Sequence, residues 1–153
     1  MKTTDQLIEV LQKQVEIIES MIEALQFQQQ AIIYYNLDGL HEGIARQNQL
    51  LEPIESLENE RMQIVSSVLC EQGIQKPDDP AVVVTLREIA KHLSPDYAEK
   101  LEQLGGRIRD ASEKVLHLNR ENDRLIENTQ NFIHENVRIL TENYSKRLVD
   151  QKI

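Results

Sequence analysis

The sequence predicts an all-α protein: an elongated, antiparallel, coiled-coil-like helical bundle made of a two-helix hairpin, one short helix and one long C-terminal helix. Three observations predict it. Aromatic residues are 4% of the chain, with no Trp, five Gly and four Pro in 153 residues, while Leu, Ile, Glu and Gln are abundant. Strong helix formers with so few turn residues argue against sandwiches, barrels and alternating α/β folds. Apolar residues recur at alternating steps of three and four in long segments, and the first break between two such segments is only a few residues long. The length suits a single domain over residues 1–153.

The first segment carries Ile8, Leu11, Val15, Ile18, Ile22, Leu25 and Ile32 at that spacing, with Gln29 the polar insertion. It predicts a helix from about residue 4 to 35, about 48 Å long at 1.5 Å per residue. Asn36-Leu37-Asp38-Gly39 breaks the pattern, with Asp38 expected to cap the next helix. A gap this short makes the two helices antiparallel neighbours. The second helix is expected over about 39–70, with a kink near Gln49 or a restart at Pro53, because proline removes a backbone donor. Gly73 stands where a left-handed cap would end it. A loop, Gly73 to Pro80, then leads to a short helix over about 81–92 whose Leu86, Ile89 and Leu93 face the core.

Ser94-Pro95-Asp96 is a helix start: a capping hydroxyl, proline in the first turn and an acid against the dipole. From Tyr97 through Leu101, Leu104, Ile108, Val115, Leu118, Asn122 and Leu125 the spacing of three and four continues to Ile139. A fourth helix over about 95–143 would approach 70 Å, weakened at Gly105-Gly106. A hairpin of about 48 Å leaves part of such a helix uncovered. The track one position after each seam residue also changes character. It reads Ser112, Leu116, Asn119 and Asp123 in the first two-thirds, then Ile126, Gln130, Ile133, Val137, Leu140 and Tyr144. The apolar stripe widens where the helix outruns the hairpin, as an amphipathic surface for a second helix would. The same pattern fits packing on Ile33, Tyr34, Tyr35 and Leu37 at the hairpin tip, or on a second copy of the chain. Asn119 and Asn122 read as polar residues that set register, at a cost in stability.

Composition and motifs exclude several functions. A net charge of −9 lacks the clustered cations that nucleic acid requires. No window approaches the roughly 20 apolar residues of a membrane span, and the N-terminus has no signal-peptide apolar region. One cysteine, Cys70, forms no internal disulfide and is expected to be a buried structural thiol in a reducing compartment. None of His41, His92, His117 and His134 has Glu three positions before it, and His41-Glu42 and His134-Glu135 lack the second histidine of a zincin helix. The expectation is a cytoplasmic protein with no catalytic residue, metal or cofactor.

Particular stretches are familiar. Ile44-Ala45-Arg46-Gln47-Asn48-Gln49-Leu50-Leu51, followed by Leu57-Glu58-Asn59-Glu60-Arg61, resembles the central helix of FlgN-type flagellar export chaperones. Thr85-Leu86-Arg87-Glu88-Ile89 is similar to that family's short third helix. Val115 to Ile126 is similar to its distinctive Leu-Asn-x-x-Asn-x-x-Leu run, here Leu118, Asn119, Asn122 and Leu125. The resemblance spans nearly the whole chain. It implies a non-enzymatic cytoplasmic chaperone for the hook-filament junction proteins FlgK and FlgL, holding their C-terminal amphipathic segments and delivering them to the type III export gate. On that view Ile126, Phe132, Ile133, Val137 and Leu140 take the client. The family's Tyr-Gly pair beyond the long helix is associated with gate docking; here Tyr144 is followed by Ser145. The competing reading is a structural coiled-coil scaffold that self-associates through the same stripe into a homo-oligomer.

Overall fold

A computed structural model describes residues 2–76 and 82–151. Among the described residues four helices follow one another: α1 (Lys2–Ile33), α2 (Leu37–Gln72), α3 (Val82–Ala90) and α4 (Pro95–Gln151). No strand occurs among the described residues. The expected loop residues Pro77, Asp78, Asp79 and Pro80, and the expected start of the short helix at Ala81, lie outside them.

The turn between α1 and α2 is tighter than the sequence suggests. Tyr35 takes a left-handed φ of 54°, and the Asn36 amide reaches back to the Ala31 carbonyl at 2.8 Å. This is a glycine-type helix stop made by a tyrosine, at some cost in backbone strain. Asn36, not Asp38, is the cap of α2: its side-chain oxygen accepts from the Gly39 amide at 3.0 Å. Asp38 lies inside the first turn, where its charge meets the helix dipole. The helix runs unbroken through Pro53, so there is no restart. Pro53 and Gln49 are both exposed, on the side of α2 away from the core. At the far end Gly73 closes the helix with φ 63°, and the Ile74 amide bonds the Leu69 carbonyl at 2.9 Å.

α1 is the central rod. It packs on α2 along one side and on α4 along another, while α3 packs on α4. α2 is antiparallel to α1: Gln14 bonds Glu58 and Gln28 bonds Gln47. α4 runs parallel to α1, as Tyr97 bonds Asp5, Arg107 pairs with Glu19, and Asn122 bonds Leu25. Two neighbours bury more of α1 than one seam would. Leu7, Val10, Ala24 and Ala31 are buried beside Leu11, Val15, Ile22 and Leu25. The helix crossing is close where Gly43 sits: a Cβ there would meet the Gln28 backbone at 3.2 Å.

The main core gathers Leu7, Leu11, Val68, Leu86, Ile89 and Leu101, and a second cluster joins Met21, Ile22, Leu25 and Leu118. Leu104 and Ile108 are buried as the seam predicts, and Val115 is half-buried against the second cluster. Cys70 corrects the sequence reading: it is exposed, on the outer side of α2, rather than buried.

Candidate functional site

The register of α4 on α1 decides which part of α4 has a neighbour. Asn122 stands level with Leu25 and Gln28 of α1. Eight residues further on α4, α1 is near its end at Ile33. α4 nevertheless continues to Gln151, 57 residues in all, longer than the expected 95–143 because no proline or glycine follows Gly106. About 20 residues, roughly 30 Å of helix, therefore extend past the hairpin.

Every residue from Gln130 to Arg147 is exposed, and Thr129, just before this stretch, is half-buried. Phe132, Ile133, Val137, Leu140 and Tyr144 are between 51% and 67% exposed. Ile126, at the junction, is half-buried. The tip residues Ile33, Tyr34, Tyr35 and Leu37 are likewise exposed, so the stripe does not pack on the tip. This arm is held in helical form by local bonds: Arg138 pairs with both Glu135 and Glu142, and Thr141 bonds the Val137 carbonyl. The Arg138 guanidinium beside Glu135 holds that carboxyl below its ordinary pKa.

The two asparagines part company. Asn122 is 1% exposed, and its amide donates to the Leu25 carbonyl at 2.9 Å and to Gln28 Oε1 at 3.2 Å. Asn119 is exposed. It lines a trough of about 590 Å³ whose floor is α1 (Ile18, Met21, Leu25) and whose walls are α2 (Leu51, Ile54) and α4 (Val115, Leu116). Sequence reasoning missed this trough. Its signal was a second track of spacing three and four on α2, running through Leu37, Leu40, Ile44, Gln47, Leu51 and Ile54. At its lower end Glu58 accepts from Gln14 and, twice, from the buried Arg61. Its carboxyl is held below the ordinary range chiefly by the Arg61 hydrogen bonds, with burial opposing and Gln14 assisting.

The histidines are exposed, and His117 lies 3.3 Å from Glu121 on the same helix. Among the described residues no cluster of His, Cys, Asp and Glu is arranged to hold a metal, and no helix is long and apolar enough to cross a membrane. What the geometry offers is an apolar helical arm beside an apolar trough, the equipment of a protein that holds other helices. The FlgN protein family model matches residues 1–148. The chain belongs to the FlgN family, a family of flagellar export chaperones. No curated protein and no solved structure matches it.

Proposed function

We propose that this chain is a cytoplasmic flagellar type III export chaperone that binds the C-terminal amphipathic segments of FlgK and FlgL, keeps them unassembled and delivers them to the export gate. The observation that carries the reading is the bare arm of α4, where Phe132, Ile133, Val137 and Leu140 are exposed along some 30 Å of helix. An amphipathic client helix laid on this stripe would bury those side chains and Ile126 together, with the energy concentrated in a few anchors. Family membership supports the client class. Tyr144, 66% exposed near the outer end of the arm, is the residue proposed to face the gate. Asn122 is proposed to set the α1–α4 register that fixes how far the arm projects.

The test is Ile133→Ala, read by calorimetric titration with FlgK or FlgL and by thermal melting of the chaperone alone. The expected result is binding weakened about tenfold, equivalent to about 1.4 kcal/mol, with the melting point unchanged. Unchanged affinity would end the client-site assignment. Light scattering on the free chain addresses the scaffold reading: a stable oligomer that dissociates on Ile133→Glu would give the stripe to self-association instead.

A further inference from the structure

We infer that the client surface does not stop at the arm but continues into the trough between α2 and α4, where one client helix lies as the fourth helix of the bundle; this rests on the chaperone reading above. α2 and α4 pack on α1 rather than on each other, which leaves the position of a fourth helix empty above α1. The trough there is lined mostly by aliphatic side chains. Leu51 on one wall and Leu116 on the other are 56% and 54% exposed.

Continuity with the arm comes from α4 itself. Ser112, Leu116 and Asn119 of the trough wall belong to the same helical track as Ile126, Ile133 and Val137 of the arm. One face of one helix therefore runs from the trough to the end of the arm. Four positions on this track, Ser112, Asn119, Asp123 and Gln130, are polar and would interrupt an apolar seam. The antiparallel neighbour fills the last two. Leu51 on α2 and Leu116 on α4 both line the trough, and Gln47 and Asn122, which bond the same Gln28 oxygen, bring the two walls to about the same level. Seven residues before Leu51 is Ile44, level with Asp123, which is seven residues after Leu116. A further seven steps place Leu37 level with Gln130. Ile44 and Leu37 are 39% and 64% exposed. The two helices thus supply, between them, an apolar side chain at the turns from the trough to the arm except that of Asn119, which has Gln47 beside it in the trough. From Ser112 to Tyr144 the track rises about 48 Å, so the occupant is a helix of about 32 residues. A shorter helix would leave one block or the other in water.

The experiment compares three single substitutions, Leu51→Glu, Leu116→Glu and Ile133→Glu, at side chains that are all more than half exposed. Calorimetric titration uses two FlgK C-terminal peptides, of about 20 and about 35 residues, with thermal melting of each variant alongside. The expected result is that the wild-type chain binds the longer peptide at least about tenfold more tightly. Leu51→Glu and Leu116→Glu should each remove that advantage while melting as the wild type does, and Ile133→Glu should weaken both peptides. Wild-type affinities for Leu51→Glu and Leu116→Glu, with a loss for Ile133→Glu, would overturn the inference and leave the arm as the whole site. Unaltered binding by all three variants would instead remove the chaperone reading on which the inference stands. A free chain that is dimeric, and becomes monomeric on Leu51→Glu with client affinity unchanged, would assign the trough to a second copy and overturn the inference as well.

Discussion

The two halves of α4 share one helix and one spacing but have opposite surroundings. From Leu101 to Leu118 the seam is sealed against α1 and α3; from Phe132 to Tyr144 equally apolar side chains stand in water. The difference shows that amphipathic periodicity records which side of a helix needs cover without recording what provides it. The inner half finds cover within the chain, and the outer half finds none among the described residues.

The largest expected contrast is in stability. Leu101 is fully buried, so Leu101→Ala should cost about 2–5 kcal/mol in chemical denaturation. Leu140→Ala, on the arm, should change it by less than about 0.5 kcal/mol. Equal losses at the two sites would mean that the arm is packed in solution. The next contrast compares two asparagines. Asn122→Ala removes two hydrogen bonds in a buried interface, while Gln28 Oε1 keeps its bond from Gln47, at a cost of about 1–3 kcal/mol. Asn136, which bonds only the Phe132 carbonyl of its own helix in water, should tolerate Ala with no measurable loss.

Adjacent glycines give a smaller effect of opposite sign. A Cβ on Gly106 meets nothing within 4 Å, so Gly106→Ala should stabilise α4 by about 0.5–1 kcal/mol. A Cβ on Gly105 comes within 3.0 Å of the Leu86 side chain, so Gly105→Ala should gain less or lose. The smallest effect is electrostatic. The folded pKa of Glu58 lies below its unfolded value, so its contribution is present above the ordinary carboxylate pKa and is lost as pH falls through the folded value. The group is partly exposed, which limits the effect to about 0.5 kcal/mol. Denaturation midpoints measured between pH 6 and pH 3 should fall less steeply for Glu58→Gln than for the wild type. Glu135 on the arm has a pKa shifted in the same direction by Arg138, but it is fully solvated and should leave the global midpoint unmoved.

The helices, the hairpin and the overhang of α4 were legible because each depends on local pattern and on length. The seam residues Leu101, Leu104, Ile108 and Leu118 follow from spacing alone. Other features depend on partners far away in sequence. Cys70 resembles its apolar neighbours Val68 and Leu69, but it falls on the side of α2 turned away from α1. Tyr35 shows no sign in composition that it will take a glycine's backbone conformation. The trough escaped because its α2 track mixes Gln47 with leucines, and only the three-helix arrangement shows that this track faces an empty position. Asn122 could be read as a seam residue, but its bond to the Leu25 carbonyl required the parallel register of α1 and α4.

The projecting arm also carries a kinetic consequence. An isolated helix of about 20 residues is marginal in water because its first turn is costly to form. The arm avoids that nucleation step, since the packed half of α4 already presents a formed helical end. Amide hydrogen exchange should therefore show a gradient, with slow exchange near Leu118 and progressively faster exchange toward Tyr144. Bound client would flatten the gradient by extending protection outward from the junction at Ile126. Because each added turn needs only propagation, an arm that takes the client as proposed can wind onto it on the submicrosecond timescale of helix growth. Capture would then be limited by how fast the two helices meet, not by how fast the arm takes shape.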